Sequence, residues 1–196
     1  MEKNNNGGYF VDENPTWLKS FPEEYLFDNI YRNVLDFFVL HSPCKDLSVR
    51  SRSLNDFYHW SIPWSKPFWL NKQLKECAEN YKILFSAATY AQMEQELIKA
   101  DLALNFPTNI SKERICFYNN KKNQFMSVFY HLRNSLAHGR FNIMCLENSE
   151  KVYILEDVSG REKERKVSAR MIIKEKTLVN WMELIKGGEK EYIKSK

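Results

Sequence analysis

The chain has 196 residues, 43% of them hydrophobic and 14% aromatic, which is enough apolar side chain for one buried core. No run of about eighteen apolar residues occurs, which excludes a membrane-crossing helix, and the opening MEKNNNGGYF lacks the apolar segment of a signal peptide, so a cytoplasmic chain is expected. The net charge of +4 is uneven: residues 1–109 carry 11 Lys/Arg against 14 Asp/Glu, while residues 110–196 carry 18 against 11, a balance that suits a phosphate-rich partner as well as a plain solvated surface.

The four cysteines, Cys44, Cys77, Cys116 and Cys145, are scattered with no C-x-x-C pair, so a zinc site or disulfide framework is not expected and each reads as a small buried hydrophobe. Residues 1–22 read as an irregular N-terminal arm: a polar start, then Pro15 and Pro22 among Phe10, Trp17 and Phe21. A single domain is expected over 23–186, with a charged tail over 187–196. Glu23–His41 has the stripe Tyr31, Val34, Leu35, Phe38, Val39 of an amphipathic helix, stopped by Ser42-Pro43. A second helix, or a helix and a turn, is expected over 46–60. The stretch IPWSKPFWL that follows holds two prolines and two tryptophans and reads as a structured connection.

Asn71–Phe106 has helical spacing with few breakers and reads as one long helix, with Thr89 able to cap a fresh start at Tyr90. Pro107 ends it. Ser111 is placed to cap a short helix through Phe117. After a polar break, Asn123–Ala137 reads as a helix whose apolar face is Phe125, Phe129, Leu132 and Leu136, with Gly139 suited to a left-handed C-terminal turn. Beyond it, residues 140–146 and 151–158 read as strands around the turn Glu147-Asn148-Ser149-Glu150, and 166–173 as a third strand. The alternating run Arg161 to Lys166 reads as a solvated loop or edge strand. Thr177–Lys186, with Leu178, Trp181, Met182 and Ile185, reads as a final helix stopped by Gly187-Gly188. The expected fold is therefore mainly α: a helical bundle with a small C-terminal antiparallel β-hairpin or sheet and a last helix.

The helix over 123–137 carries the most suggestive chemistry. On a helical wheel Arg133, Asn134 and His138 share a flank beside the apolar face, with small Ala137 among them. A guanidinium can hold two phosphate oxygens, an imidazole can move a proton near neutral pH, and an amide can orient either. That set suits cleavage of a phosphodiester whose nucleophile is RNA's own 2′-hydroxyl, with no cofactor and no metal. No glycine-rich phosphate loop, H-E-x-x-H or G-x-S-x-G accompanies it. The same residues also fit a structural role, Arg133 pairing with a carboxylate and His138 resting at its helix terminus. Tyr130 points into the flank, able to stack on a base or to fill a helix interface. His131 lies at its edge, and Arg140 could add a phosphate contact. Lys121 and Lys122, at the other end of the helix, could only track the backbone of a longer RNA.

Arg133-Asn134-Ser135-Leu136-Ala137-His138 resembles the R-x4-6-H motif of HEPN-domain ribonucleases, and FYHLRNSLAHGRF resembles a plasmid- and defence-associated branch of that family. The resemblance covers residues 110–185. It implies a HEPN-like bundle and an endoribonuclease with catalytic Arg133, Asn134 and His138 and substrate contacts from Tyr130, His131 and Arg140. It also implies a homodimer formed through the motif helices, and a toxin or phage-defence role with an antitoxin or defence-system partner. Some such toxins carry a modified tyrosine soon after the histidine; here Gly139-Arg140-Phe141 follows, so that control is not expected. Two other functions fit the same residues: a non-enzymatic RNA- or protein-binding module, and a nucleotide-sensing regulatory subunit.

Overall fold

The computed structural model describes residues 28–44, 54, 57–60, 68–78, 83–103, 107, 109–121, 123–160 and 165–194. The expected arm over 1–22, most of the helix over 46–60 and the proline-rich link over 61–67 lie outside the described residues. Among the described residues, five helices and five strands follow in the order α1 (Asn29–Leu35, continued by a π-helical turn Asp36–Leu40), α2 (Phe68–Glu76), β1 (Leu84–Ala87), α3 (Tyr90–Lys99), β2 (Arg114–Tyr118), α4 (Gln124–Ala137), β3 (Phe141–Cys145), β4 (Lys151–Ser159), β5 (Lys166–Lys174) and α5 (Glu175–Lys194). The strands form one mixed sheet in the order β1-β2-β5-β4-β3. The fold is therefore α/β, not the mainly α bundle with a small hairpin that the sequence suggested.

Two expectations fail at the same place. The single helix over 71–106 is interrupted by β1, and the short helix expected over 111–117 is replaced by β2, which pairs in parallel with β1. LFSA and RICFY are short, nearly continuous apolar runs, and periodicity cannot tell such a run from part of a buried helix. Thr89 does precede a new helix at Tyr90, and α3 is the crossover that a parallel pair requires. Elsewhere the pairing is antiparallel, and the hairpin β3–β4 and strand β5 fall where the sequence placed them. Of the run Arg161 to Lys166, residues 161–164 lie outside the described residues, and Lys166 begins β5, the expected third strand, which is the middle strand of the sheet.

The sheet is covered on both faces, and strand alternation decides which residue serves which side. Tyr153, Leu155, Ala169, Met171 and Ile173 join the cluster of α1, α4 and α5, where Phe125 and Phe129 meet the ring of Trp181. Val152, Ile154 and Ile172 face α3, against Met93 and Leu97. Asp28 starts α1 by accepting hydrogen bonds from the amides of Ile30 and Tyr31. α5 begins at Glu175 and bends at Gly188, whose φ of 72° is left-handed and where a Cβ would lie 2.7 Å from the Tyr58 carbonyl oxygen. Trp181 donates its indole N–H to the carbonyl of Leu74, tying α2 to α5. Cys44 and Cys116 are buried and Cys77 partly so; burial pushes the Cys44 thiol up to about 12 and that of Cys77 to about 11. Cys145 is exposed at the end of β3, against the expectation that all four are buried.

Candidate active site

α4 follows from its sequence at both ends. Asn123 caps its start, accepting from the amides of Phe125 (2.9 Å) and Met126 (3.2 Å). At the other end Gly139 has φ 66°, its amide donates to Leu136 O (3.2 Å), and the amide of Arg140 donates to Ser135 O (2.8 Å). This is the paired closure that a left-handed glycine makes possible at a helix C-terminus. His138 is the last residue before the reversal, with φ −95° and ψ 5°.

That ending sets the geometry of the motif. Phe125, Val128, Phe129, Leu132 and Leu136 are buried, while Arg133 and Asn134 are half-buried and Ala137 and His138 exposed. Arg133 donates from Nη1 to Asn134 Oδ1 at 3.0 Å, and its Nε is buried without a partner. It meets no carboxylate among the described residues, which is unusual for a guanidinium with a buried nitrogen. Asn134 therefore orients the arginine through its side chain. Through its backbone carbonyl it accepts the His138 amide at 2.9 Å. The His138 ring has no hydrogen-bond partner among the described residues and is exposed.

Two residues expected at the substrate are committed elsewhere. His131 is 1% exposed, with Nδ1 at 2.6 Å from Asp157 Oδ2 and Nε2 at 2.7 Å from the Tyr118 carbonyl oxygen. Both ring nitrogens lie within hydrogen-bond distance of an oxygen. Ser168, the extra residue at the irregularity where β4 and β5 shift register, donates to the same carboxylate at 3.3 Å. His131 is thus an internal tie between α4 and the sheet, not a substrate contact. Arg140 pairs with Glu156, which is wholly buried and also receives Arg170 Nε at 2.9 Å. Arg140 is accordingly part of an Arg–Glu–Arg cluster on the α3 face of the sheet, its charge paired through Nη2 while its Nε is buried without a partner among the described residues. Tyr130 stays half-buried on the outer flank, with the Lys121 ammonium 4.6 Å from its ring centre.

Glu156, Asp157 and Arg170 went unnoticed in the sequence. Their signal was there: two acids in succession inside the apolar strand VYILEDVS cannot both face water, and buried carboxylates need partners. Among the described residues no group of three His, Cys, Asp or Glu side chains is placed to hold a metal ion, and no helix is long and apolar enough to cross a membrane. A surface groove of about 620 Å³ lined by Asn109, Ile110, Ser111, Leu146, Glu147 and Asn148 lies at the opposite end of the sheet and contains no motif residue. Comparison of the chain with protein-family models, curated proteins and solved structures found no match.

Proposed function

We propose that the protein is a metal-independent endoribonuclease that cleaves by 2′-hydroxyl attack, with His138 as proton carrier, Arg133 as phosphate binder and Asn134 holding Arg133 in place. The observation that carries this reading is that Arg133 and His138 lie on the outward flank of α4 and neither is neutralised by a carboxylate among the described residues. A structural role for Arg133 would leave it paired with a carboxylate, as Arg140 is.

One chain offers one imidazole on this flank, and in-line cleavage needs a base and an acid on opposite sides of the phosphorus. We therefore take the active form to be a homodimer that brings two copies of the α4 flank together about a two-fold axis. One His138 accepts the proton of the 2′-hydroxyl as the O2′–P bond forms. The partner's His138, protonated, gives its proton to O5′ as the P–O5′ bond breaks. The products are a 2′,3′-cyclic phosphate and a 5′-hydroxyl, and the two rings end with their protonation exchanged. Arg133 carries the charge that builds on the non-bridging oxygens. A cytoplasmic toxin or phage-defence role is the setting that the motif's resemblance suggests.

The test is cleavage of a mixed RNA substrate by the purified chain in EDTA. Cutting that leaves cyclic phosphate ends, and that His138→Ala and Arg133→Ala each remove, is expected. Cleavage retained by His138→Ala would refute the assignment. RNA bound but never cut would favour a non-catalytic binding module.

A further inference from the structure

α4 packs on one face of the sheet, and both its ends lie toward the end where β2 finishes and β3 begins. Its start is tied to β2 and β1, through Lys121 N to Ser127 Oγ at 3.0 Å and Gln124 Nε2 to Ser86 Oγ at 3.4 Å, and its middle to Asp157 near the end of β4. Its C-terminal turn leads into β3, where the Arg140 carbonyl accepts the amide of Glu156. At the same sheet end Tyr118, the last residue of β2, and Tyr90 pack on the α3 side, and Tyr130 stands on α4 on the other side. Tyr90 and Tyr118 stack with ring centres 4.3 Å apart, and the Tyr90 hydroxyl meets Ser159 Oγ at 2.6 Å. Tyr130 lies on the outward side of α4. Two ammonium groups accompany them, Lys166 5.8 Å from the centre of Tyr90 and Lys121 4.6 Å from that of Tyr130.

All five side chains are partly exposed. Neither lysine meets a carboxylate among the described residues; each rests on an aromatic face, which holds a cation without cancelling its charge. With Arg133, three cations at this end are uncompensated. Asp157, the carboxylate that β4 carries at this end, is buried and taken up by His131 and Ser168. Among the described residues, the exposed large hydrophobics are Ile30, Leu40 and Phe57 on other segments and Ile98 near the far end of α3, about two turns from Tyr90, so the patch is aromatic and basic rather than greasy.

We propose that this end of the sheet binds single-stranded RNA, with bases stacking on the Tyr90–Tyr118 pair and on Tyr130 and phosphates drawn by Lys121 and Lys166, leading the strand along α4 to Arg133 and His138. The proposal deepens the ribonuclease reading by naming the form of its substrate, and it rests on that reading for the direction of the strand. Stacking faces beside tethered cations are what a strand with unpaired bases requires. A duplex keeps its base faces covered and could use only the charges.

The experiment uses the full chain carrying His138→Ala, so that RNA is not consumed. A labelled oligouridylate of about twelve nucleotides and a duplex of equal length are titrated by fluorescence anisotropy over a series of salt concentrations. Tighter binding of the single strand is expected. Lys121→Gln with Lys166→Gln should weaken it by about tenfold or more and lower the slope of log Kd against log salt by about 1.4, one released counterion fraction of roughly 0.7 per lost phosphate contact. Lys121→Arg with Lys166→Arg should restore both, and Tyr90→Leu should weaken binding where Tyr90→Phe does not. An unchanged Kd and slope in the glutamine variant would overturn the surface, even if the native chain cuts RNA through His138. Platform-dependent binding by a native chain that never cuts would keep the surface and sink the ribonuclease reading.

Discussion

His131 and His138 stand seven residues apart on one helix, and on a wheel they fall within about 20° of each other. One is sealed against the sheet between Asp157 and the Tyr118 carbonyl, and the other is exposed with its ring free of partners among the described residues. The difference comes from what lies opposite. Under His131 the sheet still runs, and β4 presents a carboxylate to it. At His138 the helix has ended, and the left-handed Gly139 turns the chain away into β3. The same residue type at almost the same angle becomes a brace in one place and a reagent in the other.

Activity should separate the two most sharply. His138→Ala is expected to lower the cleavage rate by about 10²- to 10⁴-fold, the usual worth of a positioned proton carrier, with no change in melting temperature. His131→Ala should do the reverse in kind. It leaves Asp157 buried without its main partner, which typically costs about 3–5 kcal/mol, or roughly 10 °C in a chain of this size. Thermal melts of both variants beside the cleavage assay decide the matter. A stable His131→Ala protein, or a destabilised His138→Ala one, would erase the distinction.

The division was half visible beforehand. Asn123, the apolar spacing and Gly139 fixed the limits of α4, and with them the outward position of Arg133, Asn134 and His138, because capping and glycine turns are local chemistry. The burial of His131 was invisible because its partner is 26 residues away on a strand. The pairing of Arg140 was hidden for the same reason, its partner Glu156 lying 16 residues on. The sheet was misjudged where β1 and β2 lack alternation. It was legible from β3 to β5, where polar turns punctuate longer runs. The tyrosine–lysine cluster could not be assembled from sequence at all, since Tyr90, Tyr118, Tyr130 and Lys166 meet only once the sheet is ordered.

The two left-handed glycines sharpen the comparison at smaller scale. Gly188→Ala places a Cβ 2.7 Å from the Tyr58 carbonyl, so backbone must move as well as strain, whereas a Cβ at Gly139 meets nothing within 4 Å. Gly139→Ala should therefore cost only the conformational term, about 1–2 kcal/mol, and Gly188→Ala distinctly more. Equal losses in urea denaturation would mean that the contact at Gly188 yields easily. In the folded chain Gly139→Ala should also reduce cleavage, because the turn that presents His138 depends on that φ.

The smallest expected effect sits at the far end of the sheet from the motif. Asp28 caps α1 and pairs with Lys151 at the start of β4, and the hydrogen bond from Lys151 is the main reason its carboxyl titrates below the usual 3.8. A carboxyl whose pKa is lower folded than unfolded contributes its full stability above the unfolded value and loses it as pH falls through the depressed one. Asp28→Asn keeps an oxygen for the cap and removes the charge. At pH 7 it should cost up to about 1 kcal/mol, the range of a partly exposed pair. The gap between variant and native chain in urea midpoints should narrow toward pH 3. A gap unchanged between those pH values would assign the whole effect to the cap and none to the Lys151 pair. Cleavage at pH 7 should be the same in both proteins, since nothing at Asp28 touches the α4 flank.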